Sequence, residues 1–287
     1  MIADATVEPP YGAHRASRFV EAVRSLADGV PDNAVGRRLA SLLRRVCFAA
    51  SAAPYDVEVF PTIHARLRPA TNRTEKHVFL AAHLWDAEER RALETALLAA
   101  DPARPFVFVD VGANAGFYGL ALASAGRRAG RSVSVLAIEP DPVNRARLEA
   151  NVAASGADVT VEPAAVGRVA GLARMVDDPR NRGESHLTEP GHGVGVEVEV
   201  KPLGAIFAAH GLAVVDAMKV DVEGMDFDVV AGLFETAPVE VWPRTLVVEV
   251  GRSEAEAAPM IGLLRSNGYE IAARTRLNVV AARFGQV

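Results

Sequence analysis

The feature that most constrains the fold is the segment 106–119, which reads Phe-Val-Phe-Val-Asp-Val-Gly-Ala-Asn-Ala-Gly-Phe-Tyr-Gly. Its first six residues are mostly β-branched or aromatic, and such a run predicts a central parallel strand with helices covering both faces. Asp110 interrupts the run where the strand ends. Gly112, Gly116 and Gly119 follow at a spacing that lets a tight turn lead into a close-packed helix. The segment therefore predicts an α/β fold with a small-molecule pocket at this turn.

The glycine spacing differs from that of a dinucleotide site. A dinucleotide fingerprint reads Gly-x-Gly-x-x-Gly, and its second glycine makes room for a pyrophosphate. Here the pattern is Gly-x-x-x-Gly-x-x-Gly, and Asn114 stands where that second glycine would be. A diphosphate is therefore disfavoured, whereas a ligand with an amine and a carboxylate could use Asp110 and the amides at the helix N-terminus. S-adenosylmethionine fits this description. The alternative is a turn that only packs tightly.

The composition is that of a folded globular protein, with 50% hydrophobic and 23% charged residues. The net charge of -5 comes from 36 acidic and 31 basic residues, so no overall positive field favours nucleic acid or an anionic membrane as a partner. Cys47 is the single cysteine, which excludes an intramolecular disulfide and a multi-cysteine zinc site and is typical of the cytoplasm. The oligomeric state stays open, with a homodimer as one option.

At 287 residues the chain is long enough for one large α/β domain with an accessory segment. Its N-terminus carries neither the basic nor the apolar region of a signal peptide, and no window reaches about 18 uninterrupted apolar residues. We therefore expect neither export nor a membrane-spanning helix. The division that we expect is an N-terminal helical arm and cap, residues 1–100, followed by a Rossmann-like domain, residues 101–287. No role is assigned to residues 1–14.

The N-terminal part has helical patterns followed by extended ones. From residue 15 to about residue 53, apolar residues recur at helical spacing and predict two amphipathic helices, whose arginines are expected to form a solvated face opposite the leucines. Between residues 55 and 84, short extended stretches predict a small β-rich cap or hairpin, and His77–Leu80 is one of them. The histidines of this cap lack the spacing of metal ligands and are interpreted as structural.

A further helix is predicted after Asp86, because Asp86 and Glu89 together give a capping pattern. Every cofactor-type motif lies beyond this helix. We therefore expect residues 15–100 to shape an acceptor site, since acceptor specificity on such sheets comes from elements added over the strand ends. Asn72, Arg73 and Glu75 are expected to be exposed in that region.

The second strand of the sheet is predicted at Val133–Ile138, and it ends at Glu139. In nucleoside-binding α/β folds, a carboxylate in this position accepts hydrogen bonds from both ribose hydroxyls. The alternative is that Glu139 caps the next helix, but Asp110 upstream favours the ribose role. Further strands are predicted at 159–162, 196–200, 217–222, 245–250, 269–273 and 277–284.

Three charged residues at alternate positions, Lys219, Asp221 and Glu223, mark the end of the fourth strand. Ligands in open α/β sheets bind outside the carboxyl ends of the strands. Asp221 and Glu223 should therefore face the same crevice as the carboxylates that end the first two strands, because charged side chains are not buried without partners.

In these motifs the sequence resembles the FkbM family of S-adenosylmethionine-dependent methyltransferases. The resemblance covers about residues 72–283 and rests on five segments: 110–116 (Asp-Val-Gly-Ala-Asn-Ala-Gly), Glu139-Pro140, Asn151, 219–224 (Lys-Val-Asp-Val-Glu-Gly) and 243–249. It implies a Rossmann-like class I methyltransferase fold, with a mostly parallel seven-stranded sheet and helices on both faces. It also implies O-methylation of a hydroxyl on a sugar, glycolipid, polyketide or other natural product.

The resemblance implies S-adenosyl-L-methionine as the cofactor. The residues expected to bind it are Asp110, Gly112, Asn114, Gly116, Phe117, Glu139, Pro140, Ala165 and Asp221. Asp221, Glu223 and Glu249 are the candidate bases or acceptor anchors, and Lys219 would set their ionisation through its charge. Several carboxylates at one mouth also suit a divalent cation, which is the less favoured reading.

The sequence departs from the family at two places and has a polar loop near the expected pocket. Residues 201–204 (Lys-Pro-Leu-Gly) stand where members usually have Thr-Leu-Asp, so the acceptor could differ from the common ones. Asp226 stands where many members have Glu, which keeps the charge. The loop at 176–194 contains His186, a further candidate base.

Two other functions remain open at this stage. A nicotinamide-dependent oxidoreductase could use a related doubly wound sheet, but Asn114 in place of the second glycine argues against it. A non-catalytic protein could keep the nucleoside pocket as a structural or regulatory module, but the intact carboxylates at the strand ends count against that. The expected partner is a small-molecule or glycolipid acceptor.

Overall fold

The computed structural model describes residues 9–50, 54–176, 186–188 and 195–283. The chain divides into two compact units, Met1–Trp85 and Asp86–Val287. This boundary precedes the one expected after residue 100, because the helix Ala87–Ala99 packs on the second unit. Most of the predicted polar loop at 176–194 lies outside the described residues. Within those described ranges, no helix is both long and apolar enough to cross a membrane.

The first unit contains the predicted helices and hairpin. Its elements are α1 (Arg18–Asp28), α2 (Ala34–Ala50), β1 (Tyr55–Phe60), β2 (Ile63–Leu67) and α3 (Arg73–Phe79). The strands β1 and β2 pair in antiparallel register. The two amphipathic helices and the hairpin are therefore confirmed.

Two expectations for this unit are wrong, and both concern α3. The stretch predicted as extended at His77–Leu80 lies mainly in the helix, because the side chain of Asn72 accepts a hydrogen bond from the Glu75 N–H and so caps it. Asn72 and Glu75 are also buried rather than exposed, whereas Arg73 is exposed as expected. The Glu75 carboxylate accepts a hydrogen bond from the backbone N–H of Arg68. Both side chains therefore stabilise the local fold.

The second unit carries the large sheet. In chain order its elements are α4 (Ala87–Ala99), β3 (Phe106–Val111), α5 (Phe117–Ala129), β4 (Val133–Ile138), α6 (Pro142–Ser155), β5 (Val159–Glu162), β6 (Ala165–Val166), β7 (Gly171–Val176), β8 (His186–Thr188), β9 (Val196–Lys201), α7 (Leu203–Ala209), β10 (Ala217–Val220), α8 (Asp226–Thr236), β11 (Thr245–Glu249), α9 (Glu254–Ser266), β12 (Glu270–Arg274) and β13 (Asn278–Ala282).

Seven of these strands form one sheet in the order β12-β13-β11-β10-β3-β4-β5. All neighbouring pairs from β11 to β5 are parallel, and β13 runs antiparallel to both β11 and β12. This order and the closing hairpin confirm the Rossmann-like fold that the sequence predicts. A separate four-stranded sheet has the order β6-β9-β7-β8.

The register of the central strands places the charged residues of β3 and β10 on one face of the sheet. Val109 of β3 is paired with Met218 of β10, and both join the hydrophobic core that includes residues of α7, α8 and α9. The next pair along the same strands is Asp110 with Lys219. Because successive side chains of a strand point to opposite faces, these two charged residues lie on the face that carries α5.

Candidate active site

The turn after β3 depends on backbone conformations that favour glycine. Gly112, Asn114 and Gly116 all have positive φ, at 76°, 52° and 86°. A Cβ on Gly112 would lie 1.9 Å from the backbone oxygen of Asp221, so the ends of β3 and β10 approach each other more closely than any other residue permits. A Cβ on Gly116 would lie 2.2 Å from Leu148 Cδ1 of α6. The predicted tight turn therefore joins β3 to α5 and also contacts the end of β10 and helix α6.

Asp110 ends β3 with a carboxylate that is only partly satisfied. It accepts a hydrogen bond from the backbone N–H of Gly119, in the first turn of α5. Its Oδ2 atom is buried and has no hydrogen-bond partner among the described residues. Burial raises the pKa of Asp110 to about 6, although the charge of Lys219 acts in the opposite direction. A buried acceptor without a donor is costly, and it marks a place where a ligand donor would bind.

Glu139 joins the turn after β3 to the turn after β4. Its Oε2 atom accepts a hydrogen bond from the Asn114 N–H at 2.7 Å, and its Oε1 atom accepts one from the Asp141 N–H at 2.9 Å. Each carboxylate oxygen can accept a second hydrogen bond. Burial raises the pKa of Glu139 to about 7.

The alternative role of Glu139, as the cap of the next helix, is wrong. Asp141 caps α6 instead, since its Oδ1 atom accepts hydrogen bonds from the N–H groups of Val143 and Asn144 at 2.7 and 2.8 Å. Asn151 of the same helix donates to the Ala115 carbonyl at 3.1 Å and ties α6 to the glycine turn.

Lys219 is buried on β10 and lies among carboxylates. Its Nζ atom is 2.6 Å from Asp221 Oδ2 and 4.7 Å from the centre of the Tyr118 ring. Burial alone favours the neutral amine, but the charges of Asp221, Asp110 and Asp86 outweigh it, so the pKa of Lys219 is raised. Lys219 is therefore charged at neutral pH, as its expected influence on the neighbouring carboxylates requires.

Asp221 and Glu249 form a carboxyl pair at the ends of β10 and β11. Burial and the charge of Asp221 raise the pKa of Glu249 to about 8. For Asp221, burial acts in the same direction but the charge and hydrogen bond of Lys219 outweigh it, and the pKa is lowered. At neutral pH Glu249 therefore holds a proton, and its side chain hydrogen-bonds to the ionised Asp221.

Two residues that sequence reasoning did not assign to the site complete this cluster. The Tyr118 hydroxyl donates a hydrogen bond to Asp86 Oδ2 at 2.9 Å. Asp86 has φ 41° and makes no side-chain hydrogen bond to the start of α4, so the predicted helix cap is wrong. Burial raises the pKa of Asp86. No spacing pattern joins these residues, because they are 32 positions apart and on different helices.

The two acidic residues of the turn after β10 have different positions. Glu223 is exposed, with φ 50°, and its charge is one of those that raise the pKa of Glu249. Asp226 is buried and accepts hydrogen bonds from the N–H groups of Val222 and Gly224, at 3.1 and 3.2 Å. The carboxylate of Asp226 thus shapes the turn that carries Glu223.

The remaining predicted residues are less central. Phe117 is the buried first residue of α5, and Pro140 follows Glu139 and is half-buried. Ala165 is buried on β6, in the four-stranded sheet rather than the large one. The side chain of His186 lies outside the described part of the chain. Among the described residues, no group of three or more His, Cys, Asp or Glu side chains is arranged to hold a metal ion.

Comparisons with known proteins identify the family of the chain. A sequence model of the family described as "Methyltransferase FkbM domain" matches residues 110–271. The chain is 28% identical to "Methyltransferase sdnD" of Sordaria araneosa, over 59% of this chain and 75% of the relative. It is 28% identical to "31-O-demethyl-FK506 methyltransferase FkbM" of Streptomyces tacrolimicus, over 62% of this chain and 80% of the relative.

Solved structures give a weaker likeness. The crystal structure of methyltransferase FkbM from Methylobacillus flagellatus aligns with a TM-score of 0.42 and 19% sequence identity. The alignment covers 75% of this chain and 56% of that one. The chain thus spans little more than half the length of that structure.

Proposed function

Because this chain belongs to the FkbM methyltransferase family, we propose that it transfers a methyl group from S-adenosyl-L-methionine to a hydroxyl on a sugar, glycolipid, polyketide or other natural product. The observation that carries the proposal is the buried Oδ2 atom of Asp110, which lacks a donor among the described residues. It lies at the carboxyl end of a central strand, where ligands of such sheets bind.

The residues of the turn fit this cofactor chemically. Asp110 would hold a cationic amino group, because a buried carboxylate with a free lone pair is best satisfied by a charged donor. Glu139 would accept the ribose hydroxyls with the capacity that remains on its two oxygens. The backbone groups around Gly112, Asn114 and Gly116 would admit the ligand close to the chain.

When bound, S-adenosylmethionine supplies a methyl group on a sulfonium that is already a good leaving group. The protein's own contribution is then mainly alignment of the donor with an acceptor hydroxyl. Asp221, held ionised by Lys219, is suited to orient that hydroxyl by accepting its hydrogen bond. It is a poor proton acceptor, since its pKa is lowered.

Glu249 is the better general base. A group whose pKa is near the working pH combines basicity with a sufficient ionised fraction, and the pKa of Glu249 is about 8. In its ionised form Glu249 would take the proton of the acceptor hydroxyl as the new carbon–oxygen bond forms. Glu223, on the exposed turn, would act on the acceptor only through its charge.

Titration calorimetry with S-adenosylhomocysteine, S-adenosylmethionine and NAD tests the proposal. We expect binding of both methionine derivatives, no heat with NAD, and loss of at least about tenfold in affinity in Asp110→Asn, because a charge-assisted hydrogen bond is removed. Binding of NAD alone would support the oxidoreductase alternative and overturn the proposal. The acceptor would be identified by mass spectrometry of glycolipid and polyketide extracts incubated with the protein and labelled cofactor.

A further inference from the structure

Helix α2 presents its large apolar side chains to solvent. Val35, Leu39, Leu42 and Val46 are 71%, 41%, 55% and 53% exposed. Their spacing of four, three and four residues places them on one face of the helix, which we call the apolar stripe of α2. The arginines at positions 37, 38 and 45 are solvated as expected, but Leu39 and Leu42 are exposed instead of packing inward, so that part of the expectation is wrong.

Residues with small side chains, on another face of α2, anchor the helix. Gly36, Ala40 and Cys47 are buried. A Cβ on Gly36 would lie 1.9 Å from the backbone oxygen of Pro31, so the start of α2 is held against the preceding segment. The apolar stripe is thus not required to hold α2 in the first unit. An exposed apolar surface of this kind is typical of an interaction site.

The charge on α2 has a single sign. The helix contains four arginines, at positions 37, 38, 44 and 45, and no acidic residue. Arg38 and Arg45 are exposed and are seven positions apart, so they lie on one face beside the apolar stripe. Residues 1–85 hold eleven basic and eight acidic residues, whereas the whole chain carries a net charge of -5. The part of the chain that carries the stripe therefore has a net positive charge, whereas the remainder is net negative.

We propose that α2 docks on the surface of an anionic lipid bilayer, with the apolar stripe in the headgroup region and Arg38 and Arg45 beside the phosphates. A helix with an apolar face, a basic border and no acidic residue complements such a surface in both polarity and charge. The arginine stems add apolar contact while their guanidinium groups stay in water. With 17 residues, α2 is about 25 Å long, which is too short to span a bilayer core of about 30 Å.

A second copy of the chain is a less suitable occupant of this surface. A twofold interface through the stripe would place α2 against α2 and bring Arg38 and Arg45 of both copies together without a carboxylate on either helix. An anionic surface removes this repulsion.

Vesicle flotation with the full chain tests the proposal. Vesicles of phosphatidylcholine alone are compared with vesicles of phosphatidylcholine and phosphatidylglycerol, at low and high salt. We expect binding to the anionic vesicles that weakens at high salt, and a loss of at least about tenfold in partitioning in Leu39→Ser/Leu42→Ser and in Arg38→Glu/Arg45→Glu. The matched control is Val169→Ser/Leu172→Ser, which changes two exposed apolar residues of the second unit. This control should bind as the parent protein does.

Three results would overturn the proposal: no binding to anionic vesicles, equal binding to neutral ones, or unchanged binding by both α2 variants. A dimer in size-exclusion chromatography that Leu39→Ser/Leu42→Ser dissociates would also overturn it, because the stripe would then be an interface between copies. Circular dichroism of every variant checks that lost binding is not lost folding. S-adenosylhomocysteine affinity should be unchanged in all of them, because α2 contributes none of the residues proposed to hold it.

Discussion

Asp110 and Lys219 are paired residues on the neighbouring parallel strands β3 and β10. Their side chains share one face of the sheet, and the charge of each shifts the pKa of the other. The same ammonium group is 2.6 Å from Asp221. One buried cation therefore serves a carboxylate that we assign to the cofactor and a carboxylate that we assign to the acceptor.

Cofactor affinity should rise with pH. The proposed contacts require ionised Asp110 and Glu139, whose pKa values are raised by burial to about 6 and about 7. Between about pH 5.5 and 8 we expect the affinity for S-adenosylhomocysteine to increase by about tenfold or more, with release of protons on binding. Calorimetry in buffers of different ionisation enthalpy measures both quantities. Glu139→Gln should reduce the dependence of this affinity on pH. An affinity that does not change with pH in the parent protein would contradict the assignment of Asp110 and Glu139 to the cofactor.

The free protein should lose stability as pH rises from about 4.5 to about 7. The folded pKa of Glu139, about 7, is above its ordinary value of 4.5. Between these values the folded state holds a proton that the unfolded state has lost, so the free energy of unfolding falls with rising pH and levels off above about pH 7. The contribution of this buried group is on the order of 3 kcal/mol. Urea unfolding of the parent protein and of Glu139→Gln across this pH range measures the contribution. If the free energy of unfolding falls as steeply in the variant as in the parent, or more steeply, Glu139 is not the cause of the fall.

Turnover should depend on the ionisation of Glu249. With an identified acceptor, kcat should rise with pH and level off above an apparent pKa near 8, because the ionised form is the proposed base. Glu249→Gln should lower kcat by roughly 100-fold and remove the rise. Its S-adenosylhomocysteine affinity should stay within about twofold. Glu223→Gln is the matched control, and we expect it to shift the apparent pKa downward while most of the turnover remains. An unchanged profile in Glu249→Gln would assign the base elsewhere.

The contact between Lys219 and Asp221 should be visible in a double-mutant cycle. Lys219→Met leaves neighbouring carboxylates without their cation and should lower stability by about 2 kcal/mol. This is less than for a fully buried pair, because 39% of the Asp221 side chain is exposed. Lys219→Met/Asp221→Asn should recover part of the loss.

The exposed pair Arg128 and Glu94 is the control for that cycle, and its removal should change stability by less than about 0.5 kcal/mol. Thermal denaturation of the four variants of each cycle gives the comparison. Strict additivity for Lys219 and Asp221 would mean that their contact adds no stability.

Gly112 and Gly130 offer a matched pair of glycine substitutions. Both have positive φ, at 76° and 64°, so alanine is strained at either position by about 1 to 2 kcal/mol. A Cβ at Gly130 meets nothing within 4 Å, whereas one at Gly112 overlaps the Asp221 oxygen. Gly112→Ala should therefore lose S-adenosylhomocysteine binding by more than about tenfold and Gly130→Ala by less than about twofold. Equal effects would show that only backbone strain matters.

The strand ends of the site could be predicted from the sequence because their signals are local. Asp110, Glu139 and Lys219 each follow or interrupt an apolar strand, and the register of parallel strands then brings them to one edge. The environment of Lys219 is as expected, because its charge and its hydrogen bond lower the pKa of Asp221. The roles assigned to these residues in binding and catalysis stay predictions.

What the sequence could not give depends on tertiary contacts. Asp86 matches a capping pattern, but a hydrogen bond from Tyr118 holds its carboxylate and leaves the helix without that cap. For α2, helical spacing predicts an apolar stripe but not whether that stripe or the set of small residues packs inward. Periodicity gives the period of a face, and the neighbouring elements decide which face is buried.

The position of β13 between β11 and β12 has a consequence for synthesis on the ribosome. β12 is made before β13, yet it reaches the sheet only through β13, so it has no place in the sheet when it emerges. Until residues 278–282 follow, β11 has an unpaired edge, and Glu249 at its end lacks the neighbouring strand that carries Asn278. A nascent chain can therefore form the cofactor turn first, whereas the proposed base Glu249 gains its neighbouring strand only after the β12–β13 hairpin has been synthesised.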